Sequence, residues 1–100
     1  MPTAYVTAPR EVAAELATTL VEERLAACVN RVDCRSTYRW AGDVEAEAET
    51  VLFVKTTDER YPELAERVVE LHPHDVPCIE RFDEGAVHDP YARWVAESVR

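Results

Sequence analysis

One hundred residues leave room for a single compact domain, residues 1–100, because two cores of ordinary size need roughly 50 residues or more each. The 47% hydrophobic and 31% charged composition excludes a disordered chain. A formal charge of -9, from twenty acidic against eleven basic side chains, excludes nucleic acid and anionic membrane surfaces as partners.

No apolar run nears the ~18 residues of a membrane span, and Met1-Pro2-Thr3 opens no leader peptide. Three cysteines, an odd number without C-x-x-C spacing, suit reduced thiols better than a disulfide framework, so the cytoplasm is the expected compartment.

Residues 3–7 form a β-favouring run closed by Pro9. From Arg10 onward Val12, Ala13, Leu16, Ala17 and Leu20 recur at helical spacing, which predicts a helix ending near Leu25. From Cys28 to Trp40 the period becomes two. Cys28, Asn30, Val32, Cys34, Ser36, Tyr38 and Trp40 share one face, while Arg31, Asp33, Arg35, Thr37 and Arg39 share the other.

Ala41-Gly42-Asp43 reads as a three-residue loop, and residues 44–56 alternate Glu45, Glu47 and Glu49 with Ala46, Ala48 and Thr50. That loop places Trp40 opposite Val44, Arg39 opposite Glu45 and Arg35 opposite Glu49, a register supported by cross-strand charge pairing. Val51, Leu52, Phe53 and Val54 are apolar on both faces and predict cover on both sides.

Thr57 or Asp58 is expected to cap a second helix, with Pro62 in its first turn and Tyr61, Leu64, Ala65, Val68 and Leu71 as its buried stripe. Residues 76–82 read as a last strand, and Asp89-Pro90 opens a closing helix carrying Tyr91, Trp94, Val95 and Val99. The order βαββαβα predicts an α+β, ferredoxin-like βαββαβ sandwich with an extended β2–β3 hairpin and a C-terminal helix.

Strands of about a dozen residues at ~3.3 Å each run roughly 40 Å, more than a ~13 Å radius of gyration accommodates. The hairpin therefore overhangs its own domain. Its aromatic tip and unpaired edges predict a symmetric homo-oligomer that covers them.

The densest set of ligand-type side chains is His72-Pro73-His74-Asp75-Val76-Pro77-Cys78. Imidazole and thiolate suit copper and zinc; the alternative is that His72 finishes a helix while the two prolines shape the turn into the last strand. Cys28 and Cys34 lie six residues apart on one strand face, roughly 20 Å, too far to share a metal within a subunit. The glutamate row of the hairpin reads as a solvated face. Lys55, the sole lysine, is expected to pair with a carboxylate. No nucleophile elbow, phosphate-cradling glycine loop or H-E-x-x-H run occurs, so binding rather than catalysis is expected.

Five stretches taken together carry a resemblance: Glu23-Arg24-Leu25-Ala26-Ala27-Cys28-Val29-Asn30, Ser36-x-Tyr38-x-Trp40-x-Gly42, Lys55-Thr56, His72-Pro73 and Val76-Pro77. In that order the chain resembles the CutA family of divalent-cation tolerance proteins. The resemblance implies a ferredoxin-like protomer in a tight homotrimer, similar in architecture to the PII signalling proteins, with hairpins packed across subunits. It also implies tolerance to copper and similar divalent metals through proposed copper binding.

Carried over by position, Cys28 matches the thiol of the family's R-L-A-A-C-V-N run and His72 the histidine of its H-P-Y-x-x-P-E motif. His74 and Cys78 depart from that motif, standing where the family has Tyr and Glu, and add soft ligands in place of a carboxylate. The expected metal ligands are thus Cys28, His72, His74 and Cys78. Tyr38, Trp40 and Trp94 are the expected contacts between subunits, with Trp94 packing on the sheet or across the trimer. The alternative is a PII-like trimer that recognises a small molecule or protein in its clefts, with metal incidental.

Overall fold

The structure, a computed structural model, describes residues Met1–Arg100. The chain runs β1 (Pro2–Pro9), α1 (Arg10–Glu22), β2 (Cys28–Trp40), β3 (Asp43–Lys55), α2 (Tyr61–Leu71), β4 (Ile79–Asp83) and α3 (Asp89–Ser98). One four-stranded sheet has the order β2-β3-β1-β4, with every neighbouring pair antiparallel. This is the ferredoxin-like arrangement that the element order predicts.

Alternation along the strands explains how the layers form. Ala4, Val6 and Ala8 of β1, with Leu52 and Val54 of β3, point to the side covered by Leu16 and Leu20 of α1 and Leu64 and Val68 of α2. Small side chains on β1 let both helices approach the central strands closely, and period 2 on the sheet meets period 3.6 on the helices. A second, smaller cluster of Ala27, Val95 and Val99 seats α3 beside Met1 and Tyr91. Arg60 fastens it by donating from Nε to the Val99 carbonyl at 2.8 Å. The apolar stretch predicted to be covered on both sides is so: Val51, Leu52 and Val54 are buried and Phe53 half-buried.

Several local expectations need correction. Helix α1 ends at Glu22 rather than near Leu25, because Arg24 takes the left-handed conformation (φ 58°) and turns the chain. The Leu25 amide then donates to the Leu20 carbonyl at 3.0 Å and the Arg24 amide to the Val21 carbonyl at 3.1 Å, the two bonds of a Schellman turn. Asp58 does not cap α2; its carboxylate binds Arg81, while Thr57 Oγ1 accepts from the Arg60 amide at 3.3 Å. Strand β4 begins at Ile79, not at residue 76: Pro77 has no amide to donate and Val76 is exposed.

The hairpin register is also corrected. The loop is two residues, Ala41 (φ 52°) and Gly42 (φ 87°), both left-handed as a type I′ turn demands. Trp40 therefore pairs with Asp43, Tyr38 with Glu45 and Cys34 with Glu49, while Arg39 and Arg35 pair with Val44 and Ala48. The predicted Arg39–Glu45 and Arg35–Glu49 pairs do not form, because a one-residue shift sends those side chains to opposite faces. Strand β1 pairs with β3 only as far as Pro9↔Glu49. Residues 35–40 and 43–48 thus project beyond the sheet and draw the molecule out to 45 × 26 × 21 Å, the overhang that strand length predicts.

Candidate functional site

Opposite the α1/α2 layer, alternation brings Thr3, Tyr5 and Thr7 to one sheet face with Val51, Phe53 and Lys55 of β3 and Cys28, Asn30, Val32 and Cys34 of β2. Tyr5 anchors its middle, stacking on Phe82 with ring centroids 5.3 Å apart and meeting Phe53 edge-on at 5.8 Å. Phe82 and Val32 stay exposed. Burial first, then the surrounding thiols and carboxylates of Cys78, Cys34, Glu80 and Glu49, raise the Tyr5 phenol above its ordinary range.

Cys28 lies at one end of this face. Register sets it directly across from Lys55, with Thr3 on the far side of Lys55. Lys55 Nζ donates to Asn30 Oδ1, and the Cys28 thiol lies 4.0 Å from the same oxygen. The sole lysine therefore pairs with an amide rather than the expected carboxylate, because the β3 glutamates project at the far end of the hairpin. Tyr91 of α3 closes this corner. Burial raises its phenol, and Cys28 beside it adds to the rise.

The His72–Cys78 turn lies elsewhere. His72 ends α2 and is 7% exposed. Its Nε2 is 2.8 Å from the Thr7 carbonyl, and its Nδ1 accepts the His74 amide at 3.1 Å. With the His74 amide on Nδ1 and the Thr7 carbonyl beside Nε2, both ring nitrogens are occupied. The His74 ring lies 4.9 Å from it. Cys78 is beside Thr7 and donates to Glu80 at 3.5 Å; burial foremost, then Glu80, pushes its thiol up.

These positions decide what one protomer can hold. Cys28 and Cys78 are four residues apart along the sheet and three strands apart across it, about 20 Å by strand geometry. No three His, Cys, Asp or Glu side chains converge. Cys28 and Cys78 thus do not meet within one protomer. All three thiols are unpaired, and all three lie toward the helix-free face. Sequence reasoning missed this for Cys78; the signal is parity, since Glu80 pairs with Tyr5 and Cys78 is two residues before it.

Tyr38 and Trp40 share the overhang's acidic face. Burial first, then Glu47, raises the Tyr38 phenol. Trp40 and Trp94 are 52% and 45% exposed, each about half open to solvent. Trp94 contacts Tyr91 at 5.6 Å along α3. No helix is long and apolar enough to cross a membrane.

Comparison with known proteins meets this geometry. The CutA1 divalent ion tolerance protein family matches residues 3–98. The divalent-cation tolerance protein CutA of Thermus thermophilus is 46% identical over 95 residues, 93% of this chain and 92% of that protein. The crystal structure of Pyrococcus horikoshii CutA, 40% identical, superposes with a TM-score of 0.96 over the full length of both chains. The apo PII-like protein CutA from Nostoc, 32% identical, gives 0.97 over 100% of this chain and 98% of that one. The chain belongs to the CutA1 family of divalent ion tolerance proteins.

Proposed function

We propose that the protein is a cytoplasmic homotrimer that contributes to divalent-cation tolerance by holding copper, or a similar thiophilic divalent ion, at a site completed only between copies. The observation that carries this reading is the division of the soft donors. Cys28 is at one end of the helix-free face and the His74–Cys78 turn at the other, and neither end has three ligands of its own. Donors from two copies meet the coordination a soft cation requires. In this reading His72 braces the turn, since both its nitrogens already serve the backbone. Three unpaired thiols support a reducing compartment. Tyr38, Trp40 and Trp94 are the proposed contacts between copies, their exposed rings being surface that association buries.

Native mass spectrometry of the reduced protein, with and without stoichiometric copper or zinc, tests both parts. A trimer retaining an integral number of ions, lost in Cys28→Ser and in His74→Ala/Cys78→Ser, supports the shared site; retention in both variants overturns it. A second reading, PII-like recognition of a small molecule in the inter-subunit clefts, is favoured by the occupied His72 ring and the raised Cys78 thiol. Thermal stabilisation by a metabolite in the presence of chelator would establish it.

A further inference from the structure

Helix α1 and strand β2 leave a trough between them on the helix-bearing side of the sheet, the side away from the thiols. The α1/α2 layer covers the central strands β1 and β3, so the helix-side residues of the edge strand, Val29, Arg31 and Asp33, line a gap beside α1. One hollow of about 580 Å³ is bordered by Arg10, Thr50, Asp33 and Arg31. An adjoining hollow of about 320 Å³ is walled by Ala14, Ala17, Val21 and Val29 and bordered by Arg31 and Glu22. Space of this size suits a small metabolite. The polar end is held in place: Arg10 donates from Nη2 to the Cys34 carbonyl at 3.3 Å and from Nε to the Glu49 carbonyl at 3.4 Å, and its Nε lies 3.8 Å from Asp33 Oδ1. The same carboxylate oxygen accepts the hydroxyl of buried Thr50 at 3.3 Å. Asp33 Oδ2 serves in neither contact and is left for a ligand.

Along the trough the charges alternate. Asp33 comes first, then Arg31, two residues away on the same strand face and roughly 7 Å distant, a gap that its long side chain spans. Glu22 follows at the end of α1, with the alanine and valine walls between it and Arg31. A ligand that meets all three carries positive, negative and positive charge in turn, with a methylene chain before the last. That is the pattern of a basic α-amino acid, with its α-ammonium on Asp33, its carboxylate on the Arg31 guanidinium and its terminal ammonium on Glu22. Guanidinium and carboxylate pair in bidentate fashion, and the methylene stem of a long cationic chain lies well along apolar walls. Competing classes fit less well. A free anion meets a chain of charge -9 and the Asp33 carboxylate beside Arg31, and a simple amine meets two guanidinium groups, Arg10 and Arg31. We propose that the trough binds a basic α-amino acid such as lysine within one protomer. The site is complete in a single copy and needs neither the cation nor the trimer of the reading above.

Ligands that each lack one charged group test it. Isothermal titration calorimetry of the reduced protein in chelator compares L-lysine with L-norleucine, which lacks the terminal ammonium, with 6-aminohexanoate, which lacks the α-ammonium, and with cadaverine, which lacks the carboxylate. L-Lysine is expected to bind saturably, one per protomer, and each of the other three about tenfold more weakly or worse, the loss of one charge-assisted contact. Glu22→Gln lowers lysine affinity to the norleucine level and leaves norleucine affinity unchanged. Asp33→Asn and Arg31→Gln weaken lysine binding by a similar factor. All three side chains are exposed, so the fold is retained, with circular dichroism as the check. Should Asp33→Asn loosen the Arg10 corner, Glu22→Gln, which alters only the far hollow, still decides the matter. Lysine that fails to saturate below about 10 mM, norleucine that binds as tightly as lysine, or a Glu22→Gln variant that binds lysine like the wild type would overturn the proposal.

Discussion

Replacing His72 with phenylalanine separates a bracing role from a ligating one. The substitution keeps an aromatic ring of similar size beside His74 but removes both hydrogen bonds, leaving the Thr7 carbonyl and the His74 amide without their partner at a side chain only 7% exposed. A polar group stranded in such a site costs about 1–3 kcal/mol. The carbonyl, with a second lone pair, falls at the lower end, so the two together come to roughly 2–4 kcal/mol. At about 4–8 °C of melting temperature per kcal/mol for a domain near this size, the shift is roughly 10–30 °C. The assay is urea and thermal denaturation in excess chelator at matched protein concentration, because assembly makes apparent stability concentration-dependent. A variant as stable as the wild type under chelation, with a wild type that itself weakens on metal removal, would refute the bracing argument and return His72 to the ligand set.

Three further expectations follow from packing, backbone conformation and ionisation. Leu52, fully buried among β1, α1 and α2 residues, loses roughly 3–5 kcal/mol on Leu52→Ala, read by chemical denaturation; a loss under about 1 kcal/mol would mean that the core closes around the gap. Ala41 holds a left-handed conformation that asparagine tolerates better, so Ala41→Asn raises stability by about 0.5–1 kcal/mol, and a decrease would argue against the two-residue turn. The Cys78 thiol and the Tyr5 and Tyr91 phenols are all raised on folding, chiefly by burial. Groups raised in the folded state stabilise it below their ordinary values and lose that contribution as pH climbs through the raised ones, so stability falls on the alkaline side. Cys78→Ser removes the earliest part of that fall in a pH series of melting curves; an unchanged series would show that the thiol is not desolvated.

The elements were legible because their signals are local. Helical spacing from Val12 to Leu20, Pro62 and Pro90 in first turns, and strict alternation through β2 each placed an element within a few residues. The overhang was legible too, since strand length exceeds what a domain this small contains. Positions set by a single residue's φ were not. Arg24 ends α1 early by taking a conformation that no arginine announces, and Ala41 does the same in the hairpin. That one residue of loop length moved every charge on β2 relative to β3, turning an expected set of ion pairs into two faces of opposite sign.

The candidate site divides along the same line. Residue chemistry named Cys28, His72, His74 and Cys78 as soft donors, and the ordered motifs named the family. Whether those donors meet depends on strand order and on which side of the sheet each emerges, quantities set by contacts 25 to 81 residues apart in sequence. The order of elements and their apolar faces follow from periodicities of two and 3.6, which short stretches carry on their own. The engagement of both His72 nitrogens by β1 and the turn, the gathering of three thiols toward the helix-free face, and the opposite charge on the hairpin's two faces are products of register and layer packing. These exist only once distant segments are paired, so the tertiary structure alone decides them.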